Sequence, residues 1–234
     1  MLTPSTSEIG EPHGQQHTSQ ISRYGARSQC LRVVSRPRAN PGYPGSGPFA
    51  SLRVDAMSEA YFRSEVHSMT RLDISTGMAF DDFRAAFEKA APAVDAAAVI
   101  RIVAQGGSWD DVRAAVAANA PNGLMIYATI DATPLYTLAG HHHMKAVEYL
   151  LGNHVIAETM FRHDAMALLY APLRVLVHSD SEDNAVFSID QPSTVFANLG
   201  VHEVTAVGES LDRKVAALLQ VIGVDARAAF GVQR

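Results

Sequence analysis

A run of three histidines is the part of this sequence with the clearest potential for chemistry. His141 and His143 lie two residues apart, and in an extended segment such residues project to the same side. Neutral imidazole is the commonest side-chain ligand of metal ions. With His154 further along the chain and Glu158 or Asp131 as a carboxylate ligand, the spacing predicts a site for a transition metal or haem. The alternative interpretation is a solvated loop after Gly140, with His154 at the start of a helix.

Acid–base chemistry has a second group of candidates. His163, Asp164 and Tyr170 lie close in sequence to the apolar run before Pro172. An imidazole, a carboxyl and a phenol that line one pocket can transfer protons. Adjacent side chains on a regular element diverge, however, so the sequence also allows Asp164 to begin the next element instead of orienting His163.

Several other kinds of site are excluded by the sequence. It contains no Gly-x-Ser-x-Gly nucleophile elbow, no His-Glu-x-x-His zinc motif and no glycine-rich phosphate motif. Cys30 is the single cysteine, which excludes an intramolecular disulfide, a cysteine-rich zinc site and a Cys-x-x-Cys redox pair. This cysteine usage fits a reducing compartment, and we expect the protein to be cytoplasmic.

Composition and charge limit the architecture and the partners. The chain has 234 residues, of which 47% are hydrophobic and 18% are charged, and this suits one well-buried core. No run of about eighteen apolar residues occurs, so we expect no membrane partner. Residues 68–234 hold twelve Lys and Arg against nineteen acids, and this negative balance argues against a nucleic-acid partner.

The first 67 residues have the composition of a disordered tail. They carry six of the eleven prolines and no apolar pattern of helical or strand period, so burial cannot offset the entropy of ordering them. Between Pro12 and Val54 there are six Arg and no acid, which superficially resembles an organelle transit peptide. A GC-rich genome explains the Arg excess as well. Upstream start codons are easily over-called in such genomes, which makes Met57 and Met69 alternative starts.

Helix and strand patterns occupy the rest of the chain. The predicted strands are 70–76, 124–130, 145–151, 173–178 and 185–189, and the predicted helices are 80–91, 95–105, a third from residue 108, 155–162 and a last one through 211–222. Asp95 is a predicted N-cap, and Ser108 with Asp111 forms a weak capping box. Strands that alternate with helices and include one direct hairpin favour the α+β class over a doubly wound sheet.

Three short motifs carry a family resemblance. A strand ends in Gly152-Asn153 before a helix, the segment 169–175 (LYAPLRV) runs through a proline, and 190–193 (DQPS) forms a turn before the last helix. In this order the motifs resemble domain-of-unknown-function family 302 (DUF302), over residues 108 to 223. The resemblance implies a bacterial α+β fold of the TBP-like type, with an antiparallel sheet that carries helices on one face, and no known activity. Asn153, Tyr170 and Pro172 belong to these motifs and are our candidate ligand contacts.

Three functional hypotheses follow. The first is a binding module, a single α+β domain that holds a small molecule or a metal ion, as a homodimer and without turnover. The second is a metal- or haem-dependent enzyme that uses His141, His143 and His154. The third is a domain whose Arg-rich tail contacts another protein. The predicted organisation is a disordered tail over 1–67, a helical extension over 68–107 and the family-like α+β domain over 108–230.

Overall fold

Five strands form one antiparallel sheet within residues 64–232, the part of the chain that the computed structural model describes. The strands are β1 (Arg71–Ala79), β2 (Met125–Asp131), β3 (Ala146–Gly152), β4 (Leu173–Ser179) and β5 (Asn184–Asp190). Their order in the sheet is β1-β5-β4-β3-β2, and every neighbouring pair is antiparallel. Most of the predicted tail lies outside the described residues.

Seven α-helices and one 3₁₀ turn connect the strands in the same part of the chain. The helices are α1 (Phe80–Ala90), α2 (Ala96–Ala104), α3 (Trp109–Asn119), α4 (Thr133–Thr137), α5 (His154–Phe161), α6 (Pro192–Ala197) and α7 (His202–Val221), and the 3₁₀ turn is Ala165–Leu169. The α+β class and the antiparallel sheet are therefore confirmed. Residues 68–107, predicted as a helical extension, also supply β1, which is an edge strand of the sheet.

The hydrophobic core lies on one face of the sheet. Alternate residues of the three central strands are buried there, namely Val147, Tyr149, Leu151, Val175, Val177, Phe187 and Ile189. The predicted stripe of α1, Phe80, Phe83 and Phe87, is also fully buried. The ring of Phe87 lies 5.8 Å from that of Phe187 and 5.2 Å from that of Tyr149. The stripe spaced for one helix face therefore packs α1 across the middle of the sheet.

The predicted caps of α2 and α3 are present. The carboxylate of Asp95 accepts the backbone N–H of Ala98 at 2.9 Å. Ser108 and Asp111 form a full capping box, in which each side chain accepts the other residue's backbone N–H. These bonds satisfy N–H groups that the first turn of a helix leaves unpaired. They explain why two short helices begin at these residues.

The turn motif 190–193 holds the two C-terminal helices together. Asp212 of α7 is buried, and its carboxylate accepts the backbone N–H of Ser193 at 3.0 Å and the side-chain amide of Gln191 at 2.9 Å. At Gly208 of α7 the backbone of α6 comes so close that a Cβ would lie 3.0 Å from the carbonyl oxygen of Pro192. The motif therefore fixes the packing of α6 on α7.

The opposite face of the sheet is polar. Arg71 of β1 pairs with Asp190 of β5 at 2.6 Å, and Arg174 of β4 pairs with Glu148 of β3 at 3.0 Å. Such cross-strand ion pairs are typical of a sheet face in contact with water. Among the described residues, no helix combines the length and apolar character that a membrane span requires.

Candidate functional site

The site is built at the end of β3, where the strand passes directly into α5. Gly152 is the last residue of the strand and His154 the first of the helix, so Asn153 alone connects them. The side-chain oxygen of Asn153 accepts the backbone N–H groups of Val155 and Ile156, at 2.8 and 3.2 Å. Its amide donates to the carbonyl oxygen of Gly123 at 2.9 Å. Asn153 thus caps α5 and ties it to the start of β2.

A β-bulge brings Tyr127 to the same place. Ile126 pairs with Leu151 and Ala128 with Leu150, so Tyr127 is an extra residue without a partner of its own on β3. A bulge bends its strand and redirects side chains. The bulge also breaks the inward–outward alternation of side chains along β2. The sequence pattern predicts Ile130 on the same face as Leu124 and Ile126. Those two side chains are buried, whereas Ile130 is 54% exposed.

A cavity of about 220 Å³ opens between these elements. Its walls come from the ends of β3 and β4, from α5, from the 3₁₀ turn and from α7. The apolar lining consists of Leu151, Ile156, Ala157, Met160, Leu168, Ala171, Pro172, Leu173 and Leu211, and the remaining lining residues are Tyr127, Gly152, Asn153 and His154. We call this cavity the α5 pocket. None of its lining side chains belongs to an acid, a lysine or an arginine.

His154 and Tyr127 supply the polar groups of the α5 pocket. Their rings meet edge to face, with centroids 4.9 Å apart. Burial lowers the pKa of His154, which keeps its imidazole neutral at neutral pH. Burial also raises the pKa of Tyr127 to about 12, an effect that the facing backbone N–H of His154 partly offsets. Within the described residues the imidazole of His154 forms no side-chain hydrogen bond, and the residue lines the α5 pocket and two further hollows.

The other two candidate ligand contacts lie at the edge of this pocket. Pro172 follows a cis peptide bond and lines both the α5 pocket and a second hollow on the polar face of the sheet. Tyr170 lines only that second hollow. Its hydroxyl lies 2.7 Å from Nδ1 of His67, a residue that the sequence assigned to the tail. The structure therefore brings Asn153 and Pro172 together and leaves Tyr170 on the other side of Pro172.

The acid–base candidates are not assembled into one site. His163 is exposed in the turn after α5. Asp164 caps the 3₁₀ turn, because its carboxylate accepts the backbone N–H of Met166 at 2.8 Å. Tyr170 is bonded to His67 instead. The sequence left open whether Asp164 orients His163 or begins the next element. The structure shows that it begins the next element.

The histidines predicted to bind a metal are kept apart by β3. His141 and His143 are exposed in the turn before that strand, whereas His154 follows its last residue. A strand of seven residues advances about 3.4 Å per residue, so the two ends lie roughly 20 Å apart. Glu158 is paired with Arg162 on α5. No three His, Cys, Asp or Glu side chains within residues 64–232 are grouped closely enough to hold a metal ion.

Of the lining residues, the sequence singled out Asn153, Pro172 and His154 as site candidates, and Tyr127 and Leu168 are among those that it did not. A bulge leaves no mark in a strand pattern of period 2, so the position of Tyr127 required the pairing with β3. Leu168 belongs to a 3₁₀ turn, which is too short to show a period. The one sequence signal for the position of this pocket was the pair Gly152-Asn153. A glycine before a capping residue allows other parts of the chain to approach the backbone closely. A Cβ on Gly152 would lie 3.3 Å from the ring of Tyr127.

The fold and the pocket define a small α+β protein with a mainly apolar cavity beside its sheet. Residues 102–222 match the family model described as domain of unknown function DUF302. This match spans more than half of the chain, and the protein belongs to that family. The resemblance inferred from the three motifs is thereby confirmed at the level of the family.

No curated protein matches the chain. Among solved structures, the chain is similar to one described as the crystal structure of uncharacterized conserved protein DUF302 from Bacillus stearothermophilus, with 9% sequence identity and a TM-score of 0.47. That alignment covers 66% of this chain and 99% of the other.

Proposed function

We propose that the protein binds a small, uncharged and largely apolar molecule in the α5 pocket. The observation that carries the proposal is the combination of an apolar cavity with one neutral imidazole that forms no side-chain hydrogen bond within the described residues. A mostly apolar cavity with a few convergent polar groups is the usual form of a small-molecule site. The proposal requires no turnover. It keeps the hypothesis of a binding module, but it places the ligand in the α5 pocket instead of beside His141 and His143.

The volume of the pocket limits the size of the ligand. An engineered apolar cavity of about 150 Å³ in another protein stays dry and binds benzene. The α5 pocket has about 220 Å³. A bicyclic aromatic such as indole, or a medium-length aliphatic alcohol, is therefore the size class that fits. A nucleotide or a haem is too large for it.

The lining also limits the charge of the ligand. Transfer of an ionised group into an apolar cavity costs several kcal/mol or more unless an opposite charge or hydrogen bonds receive it. The pocket offers no charged partner, and its imidazole is neutral. A ligand with one N–H or hydroxyl group can donate to a ring nitrogen of His154 and place its apolar part against Met160 and Leu151. This arrangement favours indole over indole-3-acetate.

The test is calorimetric titration of the full chain with indole. Ala157 lines the pocket, and Ala157→Leu adds side-chain volume that competes with the ligand. Ala117→Leu is the matched control, because Ala117 is exposed on α3 and lies outside the cavity. We expect indole to bind the wild type and the control with equal affinity and the Ala157→Leu variant at least about tenfold more weakly. His154→Phe is expected to weaken binding of indole and to leave that of naphthalene unchanged.

Two results would overturn the proposal. One is the absence of heat and of any melting-temperature shift with indole, naphthalene and octanol up to millimolar concentration. The other is equal binding to the Ala157→Leu and Ala117→Leu variants, since that would place the ligand elsewhere.

The remaining expectations belong to the same proposal. We infer a cytoplasmic protein that acts without nucleic acid or membrane as a partner. The excess of acids over bases in residues 68–234 and the single cysteine support this inference. The family resemblance supports a bacterial origin and a TBP-like arrangement of the sheet.

A further inference from the structure

The α5 pocket shares part of its wall with an open groove on the neighbouring side of α5. The groove lies between α2, α3 and α5 and has a volume of about 490 Å³. His154, Ala157 and Leu168 line both the pocket and the groove. We call this second hollow the α2–α5 groove. A molecule that extends out of the α5 pocket past these three residues enters the groove.

A small side chain separates the two hollows. Ile156 and Met160, four residues apart on one face of α5, line the α5 pocket. Glu158 and Phe161, three residues apart on another face, line the groove. Ala157 lies between these two faces and lines both hollows. Because its side chain is a single methyl group, an aliphatic chain can cross α5 at this point.

The wall of the α2–α5 groove is mainly apolar. Among the described residues that line it, Glu158 is the one acid or base, and its carboxylate is paired with Arg162. Arg101, the charged residue of α2, does not line the groove. Exposed apolar surface of this kind is typical of a binding groove or an interface. The apolar lining consists of Val99, Ile102, Val103, Trp109, Val112 and Phe161, together with the shared Ala157 and Leu168.

This lining favours an aliphatic chain over a polypeptide as the occupant. Every residue of a bound peptide brings backbone N–H and C=O groups that lose their water and need new partners. Apart from the rings of His154 and Trp109, the polar side-chain groups on the described wall are those of Ser108 and Glu158. Both are already bonded within the chain, to Asp111 and Arg162. An aliphatic chain also explains the continuity with the α5 pocket, which a protein lying on the surface does not.

The position of His154 indicates where the polar group of such a molecule lies. His154 lines both hollows, so a group that meets its imidazole has one arm of the molecule on each side. A helix advances about 1.5 Å per residue, and the groove therefore runs roughly 10 Å along α5 from His154 to Phe161. Three bonds of an extended chain advance about 3.6 Å. The groove thus accommodates an arm of up to about eight carbons.

We propose that the ligand is an uncharged aliphatic molecule with its one polar group inside the chain, such as a secondary alcohol or a ketone. One arm fills the α5 pocket, and the polar group forms a hydrogen bond with the imidazole of His154. The second arm crosses Ala157 into the α2–α5 groove. This ligand class rests on the proposed function, because it occupies the same site and extends it.

The experiment compares octan-1-ol with dodecan-5-ol in calorimetric titrations of the full chain. Dodecan-5-ol is octan-1-ol with a butyl group added at the carbon that bears the hydroxyl, so the pair isolates the second arm. A fully buried CH₂ group tightens binding about fourfold, and one that keeps a side open to water about twofold. We therefore expect the wild type to bind dodecan-5-ol at least about tenfold more tightly than octan-1-ol.

Two variants of α2 locate the second arm. Val103 lines the groove and Ile100 does not, although both are exposed to a similar degree, 71% and 67%. Val103→Glu places a carboxylate beside the butyl group, and we expect it to lose most of the tenfold preference for dodecan-5-ol. Ile100→Glu is the matched control and is expected to keep that preference. Both variants are expected to bind octan-1-ol as the wild type does.

The fluorescence of Trp109, the single tryptophan of the chain, is a second readout. Dodecan-5-ol is expected to shift its emission to the blue, and octan-1-ol to leave it unchanged. Equal affinity of the wild type for the two alcohols would overturn the second arm and leave the proposed function standing. So would a preference that both variants keep equally, or a Trp109 emission that dodecan-5-ol does not change. Failure of both alcohols and of indole to bind would overturn the proposed function and the second arm together.

Discussion

Removal of the Asn153 side chain tests the structural role that the fold gives to this residue. Asn153→Ala deletes the acceptor of the Val155 and Ile156 N–H groups and the donor to the Gly123 carbonyl. Loss of an N-cap costs about 1 kcal/mol. Loss of a partly buried hydrogen bond costs about 1 kcal/mol more. We therefore expect Asn153→Ala to lower the free energy of unfolding by about 2 kcal/mol.

Asn153→Ser separates the two contributions. The neutral hydroxyl still caps the start of α5 by accepting a backbone N–H, but the shorter side chain does not reach the Gly123 carbonyl. The expected loss is therefore about 1 kcal/mol, half that of the alanine variant. The measurement is urea unfolding followed by circular dichroism at neutral pH. His163→Ala is the control, because His163 is exposed after the same helix and its loss is expected to stay within about 0.5 kcal/mol.

Equal destabilisation by alanine and serine at position 153 would refute the capping argument, since the serine retains the cap. A loss within about 0.5 kcal/mol for Asn153→Ala would refute the whole account of the β3–α5 connection. In that case Asn153 would again be a candidate for ligand contact alone.

Two more predictions concern neighbouring positions. Because burial raises the pKa of Tyr127 to about 12, the folded chain holds the phenol proton more tightly than the unfolded chain, where tyrosine titrates near pH 10. The stabilisation that this phenol provides is complete below about pH 10 and is lost as the pH rises to about 12. Tyr127→Phe is therefore expected to reduce the loss in the free energy of unfolding, measured in urea, between about pH 9 and 11. An unchanged pH dependence would contradict this. Gly208→Ala is expected to destabilise the chain by about 1–2 kcal/mol, because its methyl group would lie 3.0 Å from the Pro192 carbonyl oxygen. In the same urea assay, stabilisation by Gly208→Ala, as at an exposed helix position, would show that α6 and α7 are not in tight contact.

The elements of the fold with strong local signals could be predicted from the sequence. The spacing of Phe80, Phe83 and Phe87 defined α1 because it has the helical period, and all three side chains are buried. Ser108 and Asp111 defined the start of α3 because a capping box is a short-range interaction. The short helices α4 and α6 were missed, since five or six residues show no period.

The candidate site could be predicted only in part, because its geometry depends on distant parts of the chain. Asn153 and Pro172 were found through the family motifs, and both line the α5 pocket. The predicted metal ligands are not brought together, because sequence spacing does not show that β3 runs between His143 and His154. The pairing of β2 with β3, which creates the bulge, could not be read from either strand alone.

The position of β1 has a consequence for biosynthesis. Among the strands that the structure describes, its one neighbour in the sheet is β5, and Ile74 pairs with Phe187 more than a hundred residues later in the chain. At about 5–20 residues per second, the ribosome needs several seconds to make the strand that completes this pairing. During that time the aromatic stripe of α1 has no Phe187 to pack against. The nascent chain therefore presents a stretch of unpaired strand and exposed phenylalanines of the kind that chaperones bind, and synthesis is the stage at which this fold is most vulnerable to aggregation.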